Sequence, residues 1–338
     1  MWNDIRKSGF FDLFILATDV FIMPVMFLIA GYFALPALLT KGTGGFWRDK
    51  LWRIVLPWVF GVLVIAPAVA YSAVFSRTSA PPGYVSFWIN DFFGRYYQQA
   101  HYWFLGILAL FFALLIVAYR LTPAYFARRP AVNNPPVRFF PLFALLSAAP
   151  FFFANLFFWS DAWVNCKYLF MIQPVRIGLY FCYFGLGVYA WKNAWFDGDG
   201  YRPSLLYWGP AAALMLVVFL AYRVAFTLTA DIPVMFKAGH ALVYANFCLS
   251  AAMALIALFA RAAGSDASLW RGLAANSYAI YYVHQCIVIP LAYMVRKLPV
   301  NIWLKYFSVA ACAVVLCYFV AKYCINPFFI TGKRTAGL

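Results

Sequence analysis

His284 lies about 12 residues into a long apolar run, roughly 18 Å along a helix at 1.5 Å per residue. An ionisable side chain at that depth must turn toward other protein groups and find a hydrogen bond there. The position suits a satisfied core histidine or a base that takes a proton from a hydroxyl. His101 opens another apolar run beside Trp103, where interfacial anchoring is the plainer reading. Asp19 is the one carboxylate well inside a predicted span, and His101 is on the same side. A carboxylate that orients an imidazole is a recurrent catalytic device, so these two are a candidate pair. Lys50 and Arg53, at i and i+3, are expected to share one helix face at a span edge, with Arg48 nearby. Such cations anchor a helix by snorkelling or hold phosphates arriving from water. Arg176, Arg223 and His240 fall near the outer ends of their spans, where snorkelling accounts for them.

The elements that position these residues follow from composition. Of 338 residues, 66% are hydrophobic and 11% charged, with a net charge of +16. A globular chain carries about 25% charged residues, so this one cannot cover a water-soluble surface. All ten carboxylates are Asp. The excess positive charge reads as loop charge facing headgroups and the cytoplasm, and no segment offers the soluble basic face that nucleic-acid binding needs. The seven Cys are scattered without a CxxC pair, which predicts neither a metal site nor a disulfide framework. Met1-Trp-Asn-Asp-Ile-Arg6-Lys7 leads into a long apolar segment without a small-residue cleavage site, which predicts a retained span and no signal peptide.

The apolar runs are continuous, so they predict helices and not a barrel. Nine are expected, over 14–38, 54–76, 102–119, 139–159, 176–191, 204–224, 239–260, 273–294 and 303–324, as an all-α polytopic bundle forming one domain over 1–338. An external N-terminus and internal C-terminus put the larger share of the 26 Lys and Arg on the cytoplasmic side. Lys41, Arg48, Lys50, Arg53, Arg128, Arg129, Lys333 and Arg334 are among them.

Four segments together resemble the membrane-bound acyltransferase-3 family. Met23–Phe33 contains Ala30-Gly31-Tyr32, similar to the family's Ser-Gly-Tyr turn. Phe46–Trp58 carries Lys50-Leu-Trp-Arg53 and Pro57, similar to its Arg-x-x-Arg element. His101-Tyr-Trp-Phe-Leu105 resembles its His-x-Trp-Phe-Leu segment, and Ser277, Tyr278, Tyr281 and His284 match its Ser-Tyr-x-x-Tyr-x-x-His. Phe184-Gly-Leu-Gly187 also resembles its glycine-containing helix. There are two departures. Lys50 stands where the family usually has Arg, which loses the bidentate fork. The family's first helix carries Arg, ten residues, then a His regarded as catalytic, whereas Arg6 and Lys7 are followed by Ala17 and Thr18. The chain is therefore expected to begin just before the family's second helix.

The resemblance implies transfer of an acyl group, acetyl or succinyl, from cytosolic acyl-CoA to a hydroxyl of an extracytoplasmic glycan or polysaccharide. Acetyl-CoA or succinyl-CoA would be a co-substrate, with no permanently bound cofactor, and the setting would be the lipids of a bacterial inner membrane. His284, His101 and Asp19 are the catalytic candidates. Lys50, Arg53 and Arg48 would hold the donor, and Trp103, Tyr32, Tyr281, Ser277 and Arg176 would line the site. The alternatives are a polytopic transporter or glycan translocator, and a truncated, inactive family member. Ion-coupled carriers usually place several acidic groups at mid-membrane; here Asp19 is the sole candidate.

Overall fold

The computed structural model describes residues 8–126, 131–227, 232–262 and 268–326. Arg6, Lys7, Arg128, Arg129, Lys333 and Arg334 of the charge argument lie outside them. Each of the nine predicted spans is helical. In chain order the helices are α1 (Gly9–Lys50), α2 (Leu56–Phe60), α3 (Ala66–Arg77), α4 (Tyr84–Ser86), α5 (Trp103–Leu121), α6 (Pro123–Phe126), α7 (Phe139–Asn155), α8 (Pro174–Lys192), α9 (Leu205–Thr227), α10 (Val234–Ala262), α11 (Ser268–Val295) and α12 (Ile302–Val320). Among the described residues, six helical stretches are long and apolar enough to cross a membrane. The first of them, Gly9–Arg77, holds two predicted spans end to end. Gly42 divides these with φ +67°, a left-handed conformation that costs glycine least. The helix predicted over 139–159 stops at Asn155, and α8 carries Arg176, three glycines and three tyrosines in a largely enclosed position.

Among the described residues one feature departs from an all-helical expectation: a short antiparallel hairpin of β1 (Val164–Cys166) and β2 (Phe170–Ile172), with Asn165 opposite Met171. Its chain lies between predicted spans, where three-residue strands leave no readable alternation.

The most extensive helix packing among the described residues is that of α1 against α8. A Cβ on Gly31 would lie 2.1 Å from the Phe184 carbonyl oxygen, and one on Gly187 would lie 2.0 Å from that of Leu28. The two glycines thus let backbone meet backbone, as small residues do between membrane helices. Around this contact Phe27, Tyr180, Phe104 and Phe111 form an aromatic centre, with Phe27 5.1 Å from both Tyr180 and Phe111.

The second pass is broken into α2 and α3 by two π-helical segments, Leu51–Val55 and Gly61–Ile65. Proline explains who repairs the ladder. Pro57 brings no N–H to the Arg53 carbonyl four residues earlier, and Tyr278 Oη donates to it at 2.7 Å. Pro67 likewise brings none to Leu63, and the Trp88 indole donates there at 3.1 Å.

Candidate functional site

His101 and His284 meet inside the bundle, their ring centroids 4.5 Å apart. Two constructions bring them together. His101 sits on a 3₁₀ turn, Ala100–Tyr102, that leads into α5. The turn opens at Ala100 with φ +46°, a strained conformation for a residue with a Cβ. The hairpin fastens the chain just before it: Tyr97 Oη donates to the Tyr168 carbonyl at 2.6 Å, and Gln99 Nε2 to that of Leu169 at 2.9 Å. The second construction is α11. Tyr278 and Tyr282, at i and i+4, share a face and donate to the Arg53 and Pro57 carbonyls. Tyr281 Oη donates to the His101 carbonyl at 2.6 Å, and Tyr102 Oη to that of Tyr282 at 2.7 Å. The tyrosine repeat therefore clamps α2 and His101 to the helix that carries His284. Tyr281, expected to line the site, positions His101 with its hydroxyl already committed.

His284 Nδ1 is 2.6 Å from the Tyr281 carbonyl oxygen. A carbonyl only accepts, so Nδ1 carries the proton and Nε2 keeps the lone pair of a neutral imidazole. Both ring nitrogens of His101 are buried without a hydrogen-bond partner. Trp103, two residues on, stacks on Tyr180 at 5.9 Å and meets Trp163 edge-on at 5.3 Å. Phe104, the next residue, meets the Tyr281 ring edge-on at 5.9 Å.

Asp19 does not orient His101. It pairs with Arg176, whose second nitrogen donates to Asp161 at 2.8 Å. Asp161 also pairs with Arg223, which donates to Ser160 Oγ at 3.1 Å. The reason is charge: Arg176 is 94% buried and cannot lose its proton, so it draws the nearby carboxylates, whereas a neutral imidazole holds them weakly. Arg176 and Arg223 are therefore network members and not snorkelling anchors. His240 is buried in this region, stacked on Phe226 at 4.6 Å.

Asp161 lies outside the spanning helices. Partial burial works to raise its carboxyl, but Arg223 and Arg176 outweigh burial and hold it below the usual carboxylate range. A depressed native value contributes stability that is present above the unfolded value of about 3.9 and lost as pH falls through the native one. Thermal unfolding in detergent from pH 7 to 3 checks this. The deficit of Asp161→Asn relative to the parent is expected at neutral pH and should shrink below about pH 4; a deficit constant over the range contradicts it.

At the other end of the second pass the basic residues are not a bare pair. Asp49 takes Lys41 at 3.0 Å, Arg53 at 3.2 Å and Lys50 at 3.9 Å. The α-helical register ends at Lys50 and a π segment follows, so the i, i+3 argument for a common face fails there. Lys50 turns inward over Phe46 and Phe112, 5.1 and 4.7 Å from their centroids. The Arg53 side chain is half exposed and Arg48 is exposed. Tyr32 and Ser277 do not join the histidines. Tyr32 Oη donates to the Trp195 carbonyl at 3.0 Å, its ring beside Phe33 and Phe196. Ser277 is exposed and donates to Ala274 of its own helix.

Sequence reasoning missed Tyr282, Tyr102, Asp49 and Asp161. For Tyr282 a signal existed: Tyr278 and Tyr282 repeat the four-residue step between Arg53 and Pro57. For Asp161 it did not, since the chain around it is short and irregular.

A family model described as an acyltransferase domain matches residues 1–322 of the chain. No curated protein and no solved structure matches it. With apolar helices long enough to cross a bilayer and this match over nearly the whole length, the chain is an integral membrane protein that belongs to the acyltransferase-3 family.

Proposed function

We propose that this protein moves an acyl group, acetyl or succinyl, from cytosolic acyl-CoA to a hydroxyl of an extracytoplasmic glycan. We place it in a bacterial inner membrane, N-terminus out and C-terminus in, as the loop charges favour. One observation carries the reading. Helix α11 holds the basic segment through Tyr278 and the imidazole pair through Tyr281 and His284. The rise along α11 from Tyr278 to His284 is about 9 Å at 1.5 Å per residue. A donor with its phosphates at the exposed Arg53 and Arg48 would then have only a short interior path to bring its thioester to the histidines.

The chemistry balances with these groups alone. The acceptor hydroxyl oxygen attacks the thioester carbon while its proton passes to a lone pair of the imidazole pair. The C–S bond then breaks and the proton goes to the departing thiolate, releasing free CoA. Two neutral imidazoles in contact can share the captured proton in a charge-assisted hydrogen bond, which makes the pair a better base than either ring alone.

The donor half is tested with radiolabelled acetyl-CoA and inverted membrane vesicles carrying endogenous glycan. Arg48→Gln with Arg53→Gln is expected to raise the acetyl-CoA KM by about 10-fold or more, as loss of hydrogen bonds to charged groups does. Lys50→Gln should act mainly on stability, since Lys50 is enclosed. An unchanged KM in the double variant would reduce these arginines to membrane anchors.

A further inference from the structure

We infer that Gln285 is the positioning residue that sets the proton on His101. This rests on the reading of the imidazole pair as the base. Gln285 follows His284 on α11 and stands beside the His101 ring, within reach of a side-chain hydrogen bond to it, and the Tyr281 and Tyr282 carbonyls flank the same ring. The resting geometry stops short of a hydrogen bond: Gln285 Oε1 is buried without a partner, and so are both His101 nitrogens. Three unsatisfied buried atoms at one place are costly and unusual in a native interior. The groups are complementary in type. A side-chain amide oxygen only accepts, and a neutral imidazole has one N–H to give.

A small rotation that joins them leaves the second His101 nitrogen as a lone pair. His284 is fixed in the same sense by the Tyr281 carbonyl, which holds its Nδ1 proton and frees Nε2. Both rings of the pair then present lone pairs, each held in one tautomer by an oxygen belonging to α11. Without Gln285, the His101 N–H would be free to turn to a neighbouring backbone carbonyl or to His284 Nε2, where it would occupy the lone pair that His284 offers.

The chain has three histidines, so ring-nitrogen NMR of the 15N-histidine-labelled protein in nanodiscs is readily assigned by single substitutions. The native protein is expected to show His101 as one neutral tautomer near neutral pH. Gln285→Ala, and Gln285→Met, which keeps the volume without an amide oxygen, should lose it and give a tautomer mixture. Gln285→Glu, which keeps an acceptor oxygen at the same place, should restore it. In the vesicle assay the Met variant is expected to lose about 10-fold in kcat with the acetyl-CoA KM unchanged, less than the roughly 10²–10⁴-fold that a general base contributes, because both rings remain. His101 signals identical in the native, Ala and Met proteins would overturn the inference. A tautomer that shifts in a protein unable to transfer acetyl groups would uphold the inference about Gln285 and strike the acyl-transfer reading instead.

Discussion

Glutamine in place of His284 is expected to lower acyl transfer by about 10²–10⁴-fold, the span that a positioned general base contributes. The substitution is chosen because the amide can still donate to the Tyr281 carbonyl, the bond His284 Nδ1 now makes. What it lacks is a basic lone pair. The bundle should therefore elute as the parent does on size exclusion while initial rates from radiolabelled acetyl-CoA collapse. Full transfer by His284→Gln would return His284 to a packing role. The prediction separates the imidazole from its surroundings because the clamp that brings it to His101 is made by tyrosines and backbone, not by the ring itself.

The largest structural effect is expected at Gly187. A methyl group there would lie 2.0 Å from the Leu28 carbonyl oxygen and 2.7 Å from the Tyr32 nitrogen, both backbone atoms that no rotamer change can move. Relief requires α1 and α8 to part, opening the aromatic centre around Phe27 and Tyr180. Overpacking costs about 1–3 kcal/mol, more where backbone must shift, so Gly187→Ala is expected to lower the melting temperature by about 5 °C or more. Gly187→Leu should prevent recovery of folded protein from detergent. Neighbouring Gly185 is the internal control, since a Cβ there meets nothing within 4 Å. Gly185→Ala should be nearly neutral, and equal effects at the two positions would contradict the close helix contact.

These cases show where sequence reading carries and where it stops. The helices were legible because a span is a local property: about 20 apolar residues declare it without reference to the rest of the chain. The two glycine motifs were legible as patterns, but their reason, backbone contact between α1 and α8, is visible only when residues 31 and 187 are seen together. Charge partnerships stopped earlier still. Asp19 was matched to His101 by side of the membrane, yet a buried guanidinium binds a carboxylate more strongly than an imidazole does, and Arg176 takes it. Asp49 sat in plain view at the i,i+4 spacing from Arg53 that predicts an ion pair, but a reading of the segment for its cations alone passes over it. His101 and His284 were both singled out, 183 positions apart, with nothing in their spacing to say that they touch.

The most direct test is a double-mutant cycle on single-turnover transfer, using the parent, His101→Gln, His284→Gln and the doubly substituted protein. If the two rings hold one proton between them, the double substitution should be little slower than the worse of the two single ones. Losses that multiply through the cycle would mean two histidines acting independently, and the shared base at the centre of the bundle would be refuted.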